Sequence, residues 1–539
     1  MKQLWLSTRN QQSANSIKLI FNQVRSSICL PDKINFILLL IIGLHICFTL
    51  PLAASLNIWL DEAYSLDTTS KDLGYAISHS INFEGQPPLY FAILNLWRSL
   101  NDSILFARLF SILCICLTIY TTAVFSRRYL KDIHPGWLAA VVAFHPFSIW
   151  AALDIRMYAF AILISALLLL FFFDGYLADT PNRRAKLFYG LCAIAGIYTN
   201  YLLGCLLIAH AITLLCFQRW RAFYYYLVTM AWVGVFSIPI LWVLFFHLTR
   251  LKRIFTGYSS SLIESLTVTV KIVRIYLLGL NDQLLPVKLT KIIRYAFTVV
   301  LLLVALIYRR FITFYQTTLF VITLTSGLVL ALLLYKMNAV NNIERYAYPL
   351  FLVVQISLFS LLSIVRGNLK EKILIFSTVF LLSISLLSIA STYSLSAKYG
   401  DWQRVSSYIM AHEKPDQTIL VFTDLNLLPL SYYYSGINKL VPIPRAMGKE
   451  KLDLHRMVLK DEQEIFAALS QIPGKHQHLW VVSNLQQIIP GYKGREKCEV
   501  LNIDLNCHIM ADFIDKYYSI EHTESFYKSY VIFMSRQPL

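Results

Sequence analysis

Long apolar runs broken by short polar turns dominate this chain. A polar, basic stretch reaches about residue 34, and an apolar run follows over 34–55. Further apolar runs lie near 103–126, 136–153, 157–173, 187–200, 201–217, 222–246, 290–308, 311–334, 346–365 and 372–391. A helix rising about 1.5 Å per residue crosses some 30 Å of hydrocarbon in roughly twenty residues, which is the scale of these runs. Peptide groups in lipid must be hydrogen-bonded within their own segment, so the runs predict helices. The every-second-residue alternation of an outer-membrane barrel is absent. The expected fold class is an α-helical polytopic membrane protein with about eleven transmembrane helices.

Two segments fit this scheme poorly. "PPLYFAILNLWRSL" (87–100) is apolar but too short to cross, and is expected as a helix lying at the outer surface. "SLTVTVKIVRIYLLGL" (265–280) carries Lys271 and Arg274 at its middle, which disfavours a lipid-facing crossing. Were it a true span, every later loop would change sides.

Beyond about Thr392 the pattern changes. "TILVFTD", "HLWVVSN" and "SYVIFMSR" predict short buried strands, and "DWQRVSSYIMAHE" and "EQEIFAALSQI" predict helices, together a small α/β domain. The expected organisation is a cytoplasmic segment over 1–34, a membrane domain over 35–391 with its first outer loop at 57–102, and an extracytoplasmic α/β domain over 392–539. The first run exceeds a signal-peptide core and predicts an uncleaved anchor.

Composition supports this reading: 57% of residues are hydrophobic and only 15% charged. The net charge of +17 does not call for a nucleic-acid partner, because much of it sits in short loops between spans. Arg127, Arg128 and Lys131, Arg183, Arg184 and Lys186, Arg219 and Arg221, Arg309 and Arg310, and Arg366, Lys370 and Lys372 all fall on one side when the spans are counted. By the positive-inside rule that side is cytoplasmic, so the chain is expected in the plasma (inner) membrane with its C-terminal domain outside. Seven of nine cysteines lie in the first 220 residues, mostly within apolar runs. Cys498 and Cys507 lie in the polar tail and would be free to pair outside the cytoplasm.

Candidate chemistry collects at the expected outer face. In "IWLDEAYSLD" (58–67), Asp61 and Glu62 follow the first span at once. Adjacent side chains point apart, so the two carboxylates suit different tasks. Asp61 suits taking a proton from a hydroxyl and Glu62 suits orienting a partner or substrate, although the pair equally suits capping a helix that begins near Ala63. "ALDIRMYAF" (152–160) places Asp154, Arg156 and Tyr158 at a turn between spans. In "EGQPPLYF" (84–91) paired prolines fix an entry turn, with Glu84 and Gln86 before them. In "NNIERYAYP" (341–349), Arg345, with Tyr346 beside it, needs an anionic partner at the edge of hydrocarbon; a lipid phosphate and a carboxylate such as Glu344 fit equally. Arg250, Lys252, Arg253, Lys271 and Arg274 form a basic stretch on the outer side that suits anionic headgroups. Residue spacing shows no compelling metal site and no glycine-rich phosphate loop.

These groups, in this order, resemble the polyprenyl-phosphate-sugar-dependent glycosyltransferases of the GT-C fold, which include the protein O-mannosyltransferases and the lipid A aminoarabinose transferases. The matching stretches are "LDEAYS", "QPPLYFAILNLW", "RLFSIL" (108–113), "LDIRMYAFAI" and "ERYAYPLF", with "DWQRVSSYI" resembling the entry to the periplasmic domain of bacterial members. The resemblance implies two surface helices in the first outer loop and a cavity at the membrane's outer boundary. It implies a polyprenyl-phosphate-linked sugar as donor and a lipid, glycan or protein hydroxyl as acceptor. Asp61 matches the family's acid proposed as base, Glu62 its neighbour, Asp154 the second acidic position, and Arg345 a basic position near the lipid phosphate. Some relatives carry a charged residue or histidine where this chain has Gln86, which leaves a divalent metal or phosphate contact there open.

The expected chemistry is a single inverting displacement. Asp61 deprotonates the hydroxyl, and cations steady the departing phosphate. Catalytic candidates are Asp61, Glu62 and Asp154. Substrate-binding candidates are Glu84, Gln86, Arg156, Tyr158, Arg253, Arg274, Arg345 and Tyr346. The alternatives are a transporter or flippase of lipid-linked saccharides, which would show matched halves around the midplane, and a non-catalytic assembly protein, which would tolerate loss of Asp61.

Overall fold

The computed structural model describes residues 32–251, 261–280, 284–336, 343–367, 369–446, 454–472, 476–489, 491–492, 498–500 and 503–537. The chain is a polytopic helical membrane protein with a small mixed domain at its C-terminal end. A helix occupies each of the eleven expected segments. Seven are long and apolar enough to cross a membrane alone, among them Ile34–Ser55, Ile104–Tyr129 and Leu369–Thr392. Pro135–Phe144 and Pro146–Ala152 form an eighth span if read as one helix broken by a 61° bend. The other three, Arg183–Thr199, Tyr201–Cys216 and Tyr348–Leu362, are shorter.

Exposed apolar side chains mark the surface a bilayer would cover. Phe36, Trp232, Ile238, Trp242, Leu302 and Phe376 are all more than half exposed. The Tyr348–Leu362 helix is instead buried at every residue, so it runs through the bundle's centre.

Local sequence sets the breaks. Ser103 and Asn182 accept backbone N–H groups at the starts of their helices. His145 ends one half of the bent span and caps the next by accepting from Phe147 N–H, with Pro146 at the first helical position. Against this bend lies the end of Leu262–Leu278, closed by Gly279 in the left-handed conformation (φ 61°). A Cβ at Gly279 would lie 2.7 Å from Pro146 Cδ, so conformation and space both require glycine. This helix contains most of the segment that fitted poorly in sequence. It packs against Phe314–Lys336 and Tyr348–Leu362, with Val268, Ile272 and Tyr276 buried.

The first loop holds three short helices, Leu60–Thr68, Leu73–Asn82 and Leu89–Arg98, rather than the two that the resemblance implied. The additional one is the helix of the acidic pair, which packs against the rest through Ala63 and Leu66. The Leu89–Arg98 helix lies where a non-crossing helix was expected and buries Tyr90, Phe91 and Leu94.

The basic loops meet one another at one end of the bundle. Arg128 pairs with Asp174, Arg366 and Lys370 approach Asp132 at 3.9 and 3.8 Å, and Arg366 lies over Phe311. The C-terminal domain is built on a five-stranded sheet in the order β2-β1-β3-β5-β4: β1 Thr418–Phe422, β2 Leu440–Ile443, β3 His478–Ser483, β4 Tyr518–Phe526 and β5 Ser529–Arg536. β1 runs parallel to β2 and β3, whereas β5 runs antiparallel to β3 and β4. Trp402, Val405 and Ile409 pack on one face with Ile419 and Val421, and Leu420, Phe422 and Val481 face the helices Glu462–Ser470 and Cys507–Tyr517. Cys498 and Cys507 are bonded to each other.

Candidate active site

Glu62 is the hub of the site. It sits in the first turn of Leu60–Thr68 and accepts the Trp59 N–H at 3.3 Å, as an acidic residue at a helix start does. The guanidinium of Arg108 meets both its oxygens at 3.1 Å, and Lys398 Nζ lies 2.8 Å from Oε2. The Ile155 N–H also donates to Oε1, at 3.2 Å. Arg108 spends its remaining donors on the carbonyls of Ala53, Leu56 and Asn57, the otherwise open C-terminal end of the first span. All of this is buried. Burial alone would raise the Glu62 carboxyl, but Arg108 and Lys398 outweigh it and hold it below the usual carboxylate range. With both oxygens committed to protein groups, Glu62 organises the site.

Asp154 is different. It too is fully buried. Its Oδ1 accepts the Trp59 indole N–H at 2.6 Å and lies 3.6 Å from Lys398 Nζ, while Oδ2 has no hydrogen-bond partner. Burial raises its carboxyl to about 6 despite the attraction of Lys398. A carboxylate with one free oxygen and a raised proton affinity is equipped to take a ligand hydroxyl or a proton.

Asp61, next to Glu62 but pointing elsewhere, pairs with Arg345. Arg345 Nε also donates to the Tyr158 hydroxyl at 2.6 Å, and its guanidinium lies 4.8 Å from the Trp59 ring centroid. Both partners keep some solvent contact, unlike Glu62 and Asp154: the side chains of Arg345 and Asp61 are 31% and 18% exposed. Within the acidic pair one carboxylate is locked and the other lies at the accessible rim.

Arg156 pairs with Glu84 at 2.9 Å and donates to Ser65 at 3.1 Å, tying the loop before the prolines to the acidic helix. Burial would lower the Arg156 guanidinium, but Glu84 holds it above its ordinary value. Glu84 in turn accepts from Thr68, whose hydroxyl meets His79. Gln86 joins through its backbone, donating N–H to Ser80. Tyr346 is half-buried beside Arg345.

Other candidates fall elsewhere. Arg274 stacks on Tyr295 at 3.8 Å and makes no ion pair with these acids. Arg253 lies outside the described residues. Among the described residues no group of three His, Cys, Asp or Glu side chains is arranged to hold a metal.

Three participants were not singled out from sequence: Trp59, Arg108 and Lys398. Arg108 carried a signal, being a lone cation at the start of an apolar run, where an unpaired charge is costly. Trp59 preceded the acids without further distinction. Lys398 carried none, because it lies in the unpatterned link between the last span and the sheet domain.

No family model and no curated protein matches the chain. Among solved structures it is similar to the crystal structure of ArnT from Cupriavidus metallidurans in the apo state, at 10% identity and a TM-score of 0.49, over 91% of this chain and 97% of that one. It is also similar to the same protein bound to undecaprenyl phosphate, at 11% identity and a TM-score of 0.42, over 92% and 97%.

Proposed function

We propose that the chain is a membrane glycosyltransferase that moves a sugar from a polyprenyl-phosphate carrier to a hydroxyl acceptor at the outer face of the plasma membrane. The observation that carries this reading is the Asp61–Arg345 pair, a carboxylate and a guanidinium brought together from distant parts of the chain at a partly open rim. A lipid phosphate binding there competes for Arg345 and releases the Asp61 carboxylate. Asp61 then accepts the acceptor's proton as the hydroxyl oxygen attacks the anomeric carbon. The bond to phosphate oxygen breaks with its electrons, and Arg345 neutralises the lipid phosphate that leaves. One displacement inverts the anomeric centre. Trp59 and Tyr158 hold Arg345 in place, and Trp59 also donates to Asp154, whose other oxygen has no hydrogen-bond partner and is a candidate second polar contact for substrate.

A transport reading finds less support. Among the described residues the ion pairs of the helical region gather at the two ends of the bundle, with none bridging its middle.

The test is incubation of purified protein with a panel of isoprenoid-phosphate sugars, measuring release of free lipid phosphate. Release from at least one donor is expected, reduced roughly a hundred- to ten-thousand-fold by Asp61→Asn with the fold retained. No release from any donor, or full turnover by Asp61→Asn, overturns the reading.

A further inference from the structure

The segment joining the last span to the sheet domain reaches into the site through one side chain. We propose that Lys398 is a positioning residue of the transfer reaction, its ammonium bridging Glu62 and Asp154 so that Asp154 stays a carboxylate with one oxygen uncommitted. This rests on the transferase reading above.

The geometry is specific. Lys398 Nζ lies 2.8 Å from Glu62 Oε2 and 3.6 Å from Asp154 Oδ1, and it donates to the Leu153 carbonyl at 2.6 Å. Its backbone N–H donates to Asn57 Oδ1 at 2.7 Å, and Asn57 Nδ2 donates to the Gly400 carbonyl at 3.3 Å, so the link is clamped to the loop that follows the first span. Two carboxylates share one buried space here, and their repulsion would drive a proton onto one of them. Arg108 is spent on Glu62 and backbone carbonyls, and Arg156 is spent on Glu84. The tyrosines around Asp154, namely Tyr90, Tyr158 and Tyr393, bring no positive charge. Among the described residues Lys398 is the cation within ion-pair distance of both acids, and its attraction, with a smaller one from Arg156, opposes the burial that raises Asp154.

The test compares Lys398→Gln, which keeps hydrogen-bonding capacity without charge, with Lys398→Arg. The protonated Asp154 carboxyl is followed by infrared titration, its band identified by loss in Asp154→Asn. In the parent the midpoint is expected near 6. In Lys398→Gln it moves to higher pH, the acid limb of transfer moves with it, and kcat falls at least about tenfold while donor KM changes less than about twofold. Lys398→Arg restores the midpoint and the limb. An unmoved midpoint in Lys398→Gln overturns the proposal. If Lys398→Gln alone does not fold, Asp154→Asn is expected to rescue it in the double variant, and failure of that rescue also overturns it. The infrared readout stands even if no donor is turned over, so failure of the transferase reading is distinguishable.

Discussion

The indole N–H of Trp59 donates to Asp154 at 2.6 Å while the face of the same ring carries the Arg345 guanidinium at 4.8 Å. One side chain thus sets the spacing between an acid deep in the protein and a cation at the rim. Trp59→Phe keeps an aromatic face for Arg345 but removes the donor. A hydrogen bond to a charged group contributes about 1.5–3 kcal/mol, so kcat is expected to fall roughly ten- to hundredfold with donor KM little changed. Steady-state kinetics showing unchanged kcat would separate Asp154 from turnover.

Arg345 offers more than charge. It pairs with Asp61, donates through Nε to Tyr158 and stacks on Trp59. Lysine is a point charge without the planar fork, so Arg345→Lys is expected to recover little of what Arg345→Ala loses. Both variants should weaken binding of a lipid-phosphate donor more than that of the acceptor. Equal losses for the two substrates count against a phosphate contact.

Asp154 links acidity to both fold and transfer. Its carboxyl titrates at about 6 in the folded chain against 3.8 for an isolated group, and burial is the main cause. Between those values folding takes up a proton. The stabilising contribution is therefore complete below 3.8 and lost as pH rises through about 6. Asp154→Asn is accordingly expected to gain thermal stability relative to the parent as pH rises from about 4 to about 7. On the proposed mechanism, in which the Asp154 carboxylate contacts substrate, parent transfer is expected to fall as pH drops through about 6. Melting curves whose difference is flat across this range would contradict the assignment.

Much of the layout was readable because hydrocarbon imposes a length and a composition on each span, and the basic loops that sequence places on one side do meet in space. The acidic pair, Asp154 and Arg345 were also legible, since charges at the edge of apolar runs are costly without purpose. What sequence could not reveal was pairing. Arg345 faced lipid phosphate or Glu344 on equal terms, and only the fold brings it to Asp61. Arg156 lies two residues from Asp154 in sequence, yet its ion-pair partner is the distant Glu84. Lys398 was missed for a related reason: its partners are remote and its local pattern is weak.

Glu62 and Arg108 form a buried, doubly hydrogen-bonded pair with no exposed side-chain surface. Breaking such a pair leaves an uncompensated charge, at a cost of about 3–5 kcal/mol. Glu62→Gln is therefore expected to lower thermal stability markedly, in contrast to Asp61→Asn, whose pair lies at the rim. A fluorescence melt of the purified variants checks this. Equal stability of the two would mean that Glu62 is no structural hub.

The orientation of the sheet domain can be tested directly. The basic loops cluster at one end of the bundle, whereas Lys398, which enters the site, lies on the link to the sheet domain at the other. On a positive-inside arrangement that domain is expected outside the cytoplasm, where a bonded Cys498–Cys507 pair is also chemically at home. Ser435 is exposed on this domain. With Cys29, Cys47 and Cys216 replaced by serine, Ser435→Cys is expected to react with a membrane-impermeant maleimide added to intact cells. Reaction only after the cells are opened would place the domain inside. The acid–cation rim would then face the cytoplasm, and a donor presented at the outer leaflet could not reach it.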